Sequence, residues 1–393
     1  MTDSPSDERN EPTKLVHLGR DTKQSKGFVN PPLYRGSTVL FPTIASMTEG
    51  GYGYWYGRKG SPTYDALETA ISELEGTDAT ILTPSGLSAI TTTLFALLKT
   101  GDHLLVTDSV YQPTRTFCDG PLKQLGIQTT YYDPRIGADI ATLLQDNTKV
   151  IFLESPGSQT MEIQDVPAIQ QVAQKHNIKT VIDNTYATPL NFKPLSHGVD
   201  VSLHSGTKYF IGHADGLIGT ISANKKTANT IRQTAYNLGI CAGPEDAQLA
   251  LRGLRTLKVR LNHHQKSSLD LAQWLEEQSE VEAVLHPALP THPDHKLFQR
   301  DFAGSTGLFS FILKPVSKNA LAHMVDGLKL FAIGWSWGGY ESLILPFDPT
   351  PYRTATEWPH KGPALRIHVG HEDIEDLKAD LTEGFKRLKE NIF

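Results

Sequence analysis

Three short apolar runs, "TKVIFLES" (148–155), "KTVIDN" (179–184) and "DVSLHSG" (200–206), stand close together, with the helix-periodic "VPAIQQVAQKHN" between the first two. Strands this apolar cannot leave one face in water, so they imply a largely parallel sheet covered by helices on both sides. The flanking sequence continues the alternation. "SPTYDALETAISELEG" has proline near its start, apolar residues three and four apart and glycine at its end, which predicts a helix. "TDATILTP" and "HLLVTD" read as strands around the helical "GLSAITTTLFALLKTGD", and "GLIGTISA" adds another strand. In sheets of this kind ligands sit at the carboxyl ends of the strands.

Residues 1–60 lack such periodicity and carry "NPPLYRGST" and "EGGYGYWYGRKGSPT", which read as an extended arm before a sheet domain over 61–255. Long helical periodicity then connects to a second, smaller α+β domain over 256–393. Its strands are expected at "AVLHP", "GLFSFIL", "LFAIGW" and "ALRIHVG", and its helices at about 317–327 and 373–390. A chain of 393 residues is long enough for two such cores. The net charge of -6 argues against a nucleic-acid partner. The polar start has no signal-peptide core, and no apolar run reaches the about 18 residues that a membrane helix needs. A cytoplasmic, non-membrane enzyme is the expectation. Cys118 and Cys241 have no metal-ligand spacing and are expected as reduced thiols, and neither His263/His264 nor His292/His295 has convincing metal spacing.

Chemistry concentrates at the predicted strand ends. Lys208 in "DVSLHSGTKYFIGHADG" is flanked by the hydroxyls of Ser205 and Thr207, and Gly206 permits close approach of a ligand. An amine desolvated among phosphate-sized donors becomes a nucleophile. In "TPSGLSA", Ser85, Gly86 and Leu87 fall at a strand-to-helix junction, where free N–H groups bind phosphate. Asp183 ends the apolar "VID" run and needs a cationic partner if buried, such as a protonated pyridine nitrogen. Tyr111 in "DSVYQPT" follows another strand, in a place to stack on a planar ring. Taken singly, a solvated lysine, a helix cap, a turn aspartate and a packed loop tyrosine account for each of these.

In chain order, phosphate loop, tyrosine, aspartate and lysine, the four resemble the Cys/Met-metabolism family of pyridoxal-phosphate enzymes. Asp200, Ser205, Thr207, Lys208, Tyr209, Gly212 and His213 fit the family's lysine motif, from which Ala214 departs, and Leu87 and Ser88 depart from the commoner "SGMAA". "YGRKGSPT", "LRGLRTL", "HPALP", "GLFSF" and "ALRIHVGHED" extend the likeness over about residues 13 to 390. "LESPGSQTMEIQDVPAI" and "SWGGYESLILP" look like the bacterial cystathionine β-lyase branch. The resemblance implies the fold type I of such transferases and pyridoxal 5'-phosphate as cofactor. It also implies a homotetramer built from dimers that share active sites.

By the same resemblance Lys208 is the Schiff-base lysine, Asp183 the pyridine partner and Tyr111 the stacking residue, with a possible share in catalysis. Gly86, Leu87, Ser205 and Thr207 match the phosphate contacts, and Tyr56 and Arg58 those given to the neighbouring subunit's phosphate. Arg366 matches the clamp on the substrate carboxylate, and Ser336, Trp337 and Tyr236 match substrate-side positions. The expected reaction is α,β-elimination from L-cystathionine to homocysteine, pyruvate and ammonia. A γ-lyase, a γ-synthase or a cysteine-S-conjugate lyase are the alternatives within the family. "GWSWG" around Ser336 also fits a serine-hydrolase elbow, but proline follows too soon for the helix that an elbow requires.

Overall fold

The computed structural model describes residues 9–391. The middle of the chain forms seven strands: β1 (Ala79–Thr83), β2 (His103–Thr107), β3 (Gln128–Tyr132), β4 (Thr148–Glu154), β5 (Lys179–Asp183), β6 (Val201–Ser205) and β7 (Gly219–Ala223). Their spatial order is β1-β7-β6-β5-β4-β2-β3. From β6 across to β3 every pairing is parallel, whereas β7 runs antiparallel to both β6 and β1. β1 consequently points the same way as β6, and all strands but β7 end on one edge of the sheet.

Side chains of these strands alternate between two apolar layers. Leu105, Ile151, Leu153 and Ile182 enter one core, while Leu104, Val106, Val150, Phe152, Val181 and Leu203 enter the other. Neither face is wet, which is why the runs read as continuously apolar. The helix Pro62–Glu75 starts at Ser61, whose hydroxyl accepts the Tyr64 N–H, and stops at Gly76 in the left-handed conformation. Its Leu67, Ala70, Ile71 and Leu74 share a further core with Tyr209, Phe210 and Ile211, the residues that follow Lys208.

A second sheet has the order β10-β11-β12-β9-β8, with β8 at Val281–Leu285, β9 at Leu308–Leu313, β10 at Ala332–Ile333, β11 at Leu343–Phe347 and β12 at Ala364–His368. Leu271 and Leu275 from the helix Leu257–Glu276, Met324 from Lys318–Asp326, and Leu377, Leu381 and Phe385 from Ile374–Glu390 pack on its Phe309, Phe311, Ile344 and Ile367. The two C-terminal helices fall within a residue of the expected ranges. β10 is only two residues long where "LFAIGW" promised a full strand, and the helical run before the second sheet breaks into Lys225–Asn237, Pro244–Leu254 and Leu257–Glu276.

Asp108, just past β2, ties the two parts together. Its carboxylate accepts the N–H groups of Thr354, Ala355 and Thr356 at 3.0 Å and pairs with Arg115 at 2.5 Å. Burial alone pushes this carboxyl up, but those donors outweigh it and hold its pKa below the ordinary aspartate value.

Candidate active site

The shared edge of the large sheet gathers the predicted residues. β1 runs through Thr83 into Ser85, the N-cap of the helix Gly86–Leu97, whose hydroxyl accepts the Ser88 N–H at 3.1 Å while its carbonyl accepts that of Ala89. Among the described residues the N–H groups of Gly86 and Leu87 keep no such partner, and they face outward with the positive end of the helix. Gly86 lies against the end of β6 so closely that a Cβ there would fall 2.5 Å from the Ser205 Cβ. β7 explains the contact, because its first residue, Gly219, pairs with both Thr83 and Ser205. The Thr207 hydroxyl, beside this junction, accepts the Ile218 N–H at 3.0 Å.

Lys208 lies just beyond, half-buried, with Nζ 2.7 Å from the Ser336 Oγ and 5.3 Å from the centre of the Trp337 ring. Burial and the nearby Arg366 guanidinium lower its pKa to about 8, against the pull of Asp183. Asp183 ends β5 with one carboxylate oxygen held by the hydroxyl of Thr185 at 2.5 Å and by its N–H at 3.0 Å. Burial raises its pKa in spite of those bonds. Arg366, on β12, is buried and donates from Nη2 to the carbonyls of Gly334, Trp335 and Ser336. Burial brings its pKa down to about 10.

Tyr111, at the start of the helix Gln112–Phe117, is 44% exposed, so its ring is open to the cleft. Burial of its hydroxyl and the charges of Asp183 and Glu154 raise its pKa, while Arg366 opposes them, which places all four groups within one electrostatic neighbourhood. Together the edge offers a phosphate-sized cradle of N–H and hydroxyl groups, a reactive amine, a sheltered carboxylate and a guanidinium.

The family model described as Cys/Met metabolism PLP-dependent enzyme matches residues 12–386. The chain belongs to this family. A relative from Haemophilus influenzae, named cystathionine beta-lyase, is 44% identical over 96% of this chain and 98% of its own. The cystathionine beta-lyase MetC of Escherichia coli K12 is 43% identical with the same coverage. Among solved structures, cystathionine gamma synthase from Xanthomonas oryzae pv. oryzae in complex with aminoacrylate and cysteine superposes with a TM-score of 0.89 at 33% identity, over 97% of this chain and 99% of the other.

This family enzyme has residues that fit pyridoxal phosphate. The cradle at Gly86 admits no side chain, and the half-buried Asp183 carboxylate would gain from a cationic ring nitrogen what desolvation takes from it. Tyr56, Arg58 and Tyr236 stand apart from Lys208. Arg58 donates to the Tyr236 carbonyl at 2.9 Å and the Tyr236 hydroxyl donates to the Lys59 carbonyl at 2.9 Å. Among the described residues no hydrogen bond or ring contact joins these three to the Lys208 group. Ser336 sits in the loop between β10 and β11 with no helix after it, so the elbow geometry is absent.

Sequence reasoning missed Glu154 and Thr185. Glu154 ends β4 directly beside Asp183 and accepts the Tyr111 N–H at 2.7 Å. Burial and the neighbouring Asp183 push its carboxyl well above the ordinary range. The signal was its place at the end of "VIFLE", equivalent to that of Asp183 at the end of "TVID".

Proposed function

We propose that this chain is a cystathionine β-lyase, converting L-cystathionine to homocysteine, pyruvate and ammonia. The observation that carries the reading is the position of the Lys208 amine, 2.7 Å from the Ser336 hydroxyl on the same loop that Arg366 holds by its carbonyls. Pyridoxal phosphate supplies the electron sink that lets a Cα–H bond of the substrate break. The N–H groups of Gly86 and Leu87, with Ser205 and Thr207, would hold its phosphate, Tyr111 would stack on its ring, and Asp183 would keep its ring nitrogen charged. Arg366 grips the substrate carboxylate as a planar fork and so fixes the direction of the Cα–H bond. The Lys208 Nζ, in its unprotonated form, would take the Cα proton and return one to the departing sulfur. Tyr111 would assist either transfer.

Expelling a γ-substituent would need a second proton taken from Cβ. Trp337, beside Ser336 and over the amine, restricts how the substrate side chain lies and favours loss of the β-substituent. Tyr56 and Arg58 would serve the phosphate of a neighbouring subunit, and Tyr236, hydrogen-bonded to Arg58 and Lys59, would face the substrate of that same neighbouring site. Exposed apolar residues on the arm, Leu40 and Ile44 both at 81% and Tyr52 at 71%, support a covering second copy, and a homotetramer of such dimers fits. An arm over 1–60, a cofactor-binding unit over 61–255 and a C-terminal unit over 256–393 would each supply part of the site, residues 1–8 and 392–393 lying outside the described residues. Two free cysteines agree with a cytoplasmic setting. The test is product identity: pyruvate with homocysteine from L-cystathionine supports the reading, whereas 2-oxobutyrate with cysteine replaces it by γ-cleavage.

A further inference from the structure

β12 carries two side chains, two residues apart, that grip the same loop. Arg366 donates to the carbonyls of Gly334, Trp335 and Ser336 at 3.0 to 3.1 Å, holding the first half. His368 reaches the second half. It is 1% exposed, and its Nε2 lies 3.1 Å from the Gly338 nitrogen and 3.1 Å from the Gly339 carbonyl oxygen. In one ring tautomer Nε2 accepts the Gly338 N–H, and in the other it donates to the Gly339 carbonyl. One hydrogen bond to the turn therefore persists in either form. Tyr209 and His264 pack beside the ring, with centroids at 6.2 and 5.1 Å, and hold its orientation.

The turn that His368 holds is pressed against the reactive lysine. Gly338 has φ +86°, and a Cβ there would sit 3.1 Å from the Lys208 Cα, Cβ and carbonyl carbon. Ser336 and Trp337, whose hydroxyl and ring face the Lys208 amine, immediately precede this turn.

We infer that His368 is a positioning residue, which clamps the Gly338–Gly339 turn on Lys208 and thereby sets where the Ser336 hydroxyl and Trp337 ring stand relative to the amine. This rests on the reading of Lys208 as the cofactor lysine. Its weight is greatest with substrate bound, when Arg366 divides its donors between the loop and a carboxylate while His368 keeps its whole hold on the turn.

His368→Gln and His368→Asn separate this role from packing. The glutamine amide reaches the place of Nε2, whereas the asparagine amide is one methylene too short. The Gln variant is expected to keep kcat for pyruvate release within about twofold of wild type, and the Asn variant to lose about tenfold in kcat with KM and cofactor affinity almost unchanged, the scale of one lost buried hydrogen bond. In the protein without cofactor, hydrogen exchange at the Gly338 amide should quicken by about tenfold in the Asn variant alone. Equal impairment of both variants, wild-type behaviour in both, or unaltered exchange at Gly338 overturns the inference. Should the Asn variant not fold, His368→Leu takes its place with the same expectations. If the wild type releases no keto acid from cystathionine, the proposed function fails, and the exchange measurement still decides for or against His368.

Discussion

Burial and a neighbouring guanidinium bring the Lys208 amine within reach of neutral pH, with a pKa of about 8. An amine attacks an aldehyde only in its unprotonated form, so the pH at which capture of pyridoxal phosphate stops accelerating reports that pKa. For an ordinary lysine the rate would climb until about pH 10.4. Here it is expected to climb tenfold per pH unit and level off near pH 8, followed as growth of the visible absorption band after mixing unloaded protein with cofactor. Arg366→Leu removes a repelling charge, raises the lysine pKa and moves the plateau to higher pH. A plateau at the same pH in the variant would show that Arg366 does not act on the amine. Glu154 shows where reading by residue stops. A glutamate at a strand end reads as solvated, and the parallel register of β4 with β5 places it half-buried beside Asp183.

The strand is the element that makes this site, because strands that point the same way deliver Ser85, Tyr111, Glu154, Asp183 and Ser205 to one edge from positions far apart in the chain. Strand β7, the antiparallel exception, brings Gly86 against Ser205. Gly86→Ala should therefore wedge the helix Gly86–Leu97 away from β6, since its Cβ would fall 2.5 Å from that of Ser205. We expect cofactor affinity, measured by absorption titration, to fall by at least tenfold, while an undiminished affinity would mean that the phosphate is held elsewhere. The strands β1, β2, β4, β5 and β6 were legible because burial on both faces leaves an uninterrupted apolar run. β3 was not, for "QTTYY" lies at the sheet edge and only its last residue is buried. β11 was missed because Pro346 falls within "LILPF".

At the scale of the whole molecule, the site draws on both sheets. Asp183 ends a strand of one sheet, Lys208 follows another strand of it by three residues, and Arg366 lies within a strand of the other, and the sequence displays the apolar pattern of each strand. The loop from Gly334 to Gly339 was legible only as a motif, since its hold on Lys208 depends on contacts more than a hundred residues apart in the chain. Tyr56 and Arg58 lie outside the Lys208 group of their own chain, and their place in catalysis depends on a second copy. Subunits bearing Arg58→Ala and subunits bearing Lys208→Ala are each expected to be inactive. After mixing and subunit exchange, some activity should return, because a hybrid dimer has one intact site; mixed oligomers that form and stay inactive would confine the arm to its own chain. The claim on which all of this depends is that the strand-end residues form the active site around Lys208. Borohydride reduction of the cofactor-loaded protein, followed by proteolysis and peptide mass mapping, tests it most directly. The pyridoxyl mass is expected on the peptide that contains Lys208, and its appearance on any other lysine would contradict the account.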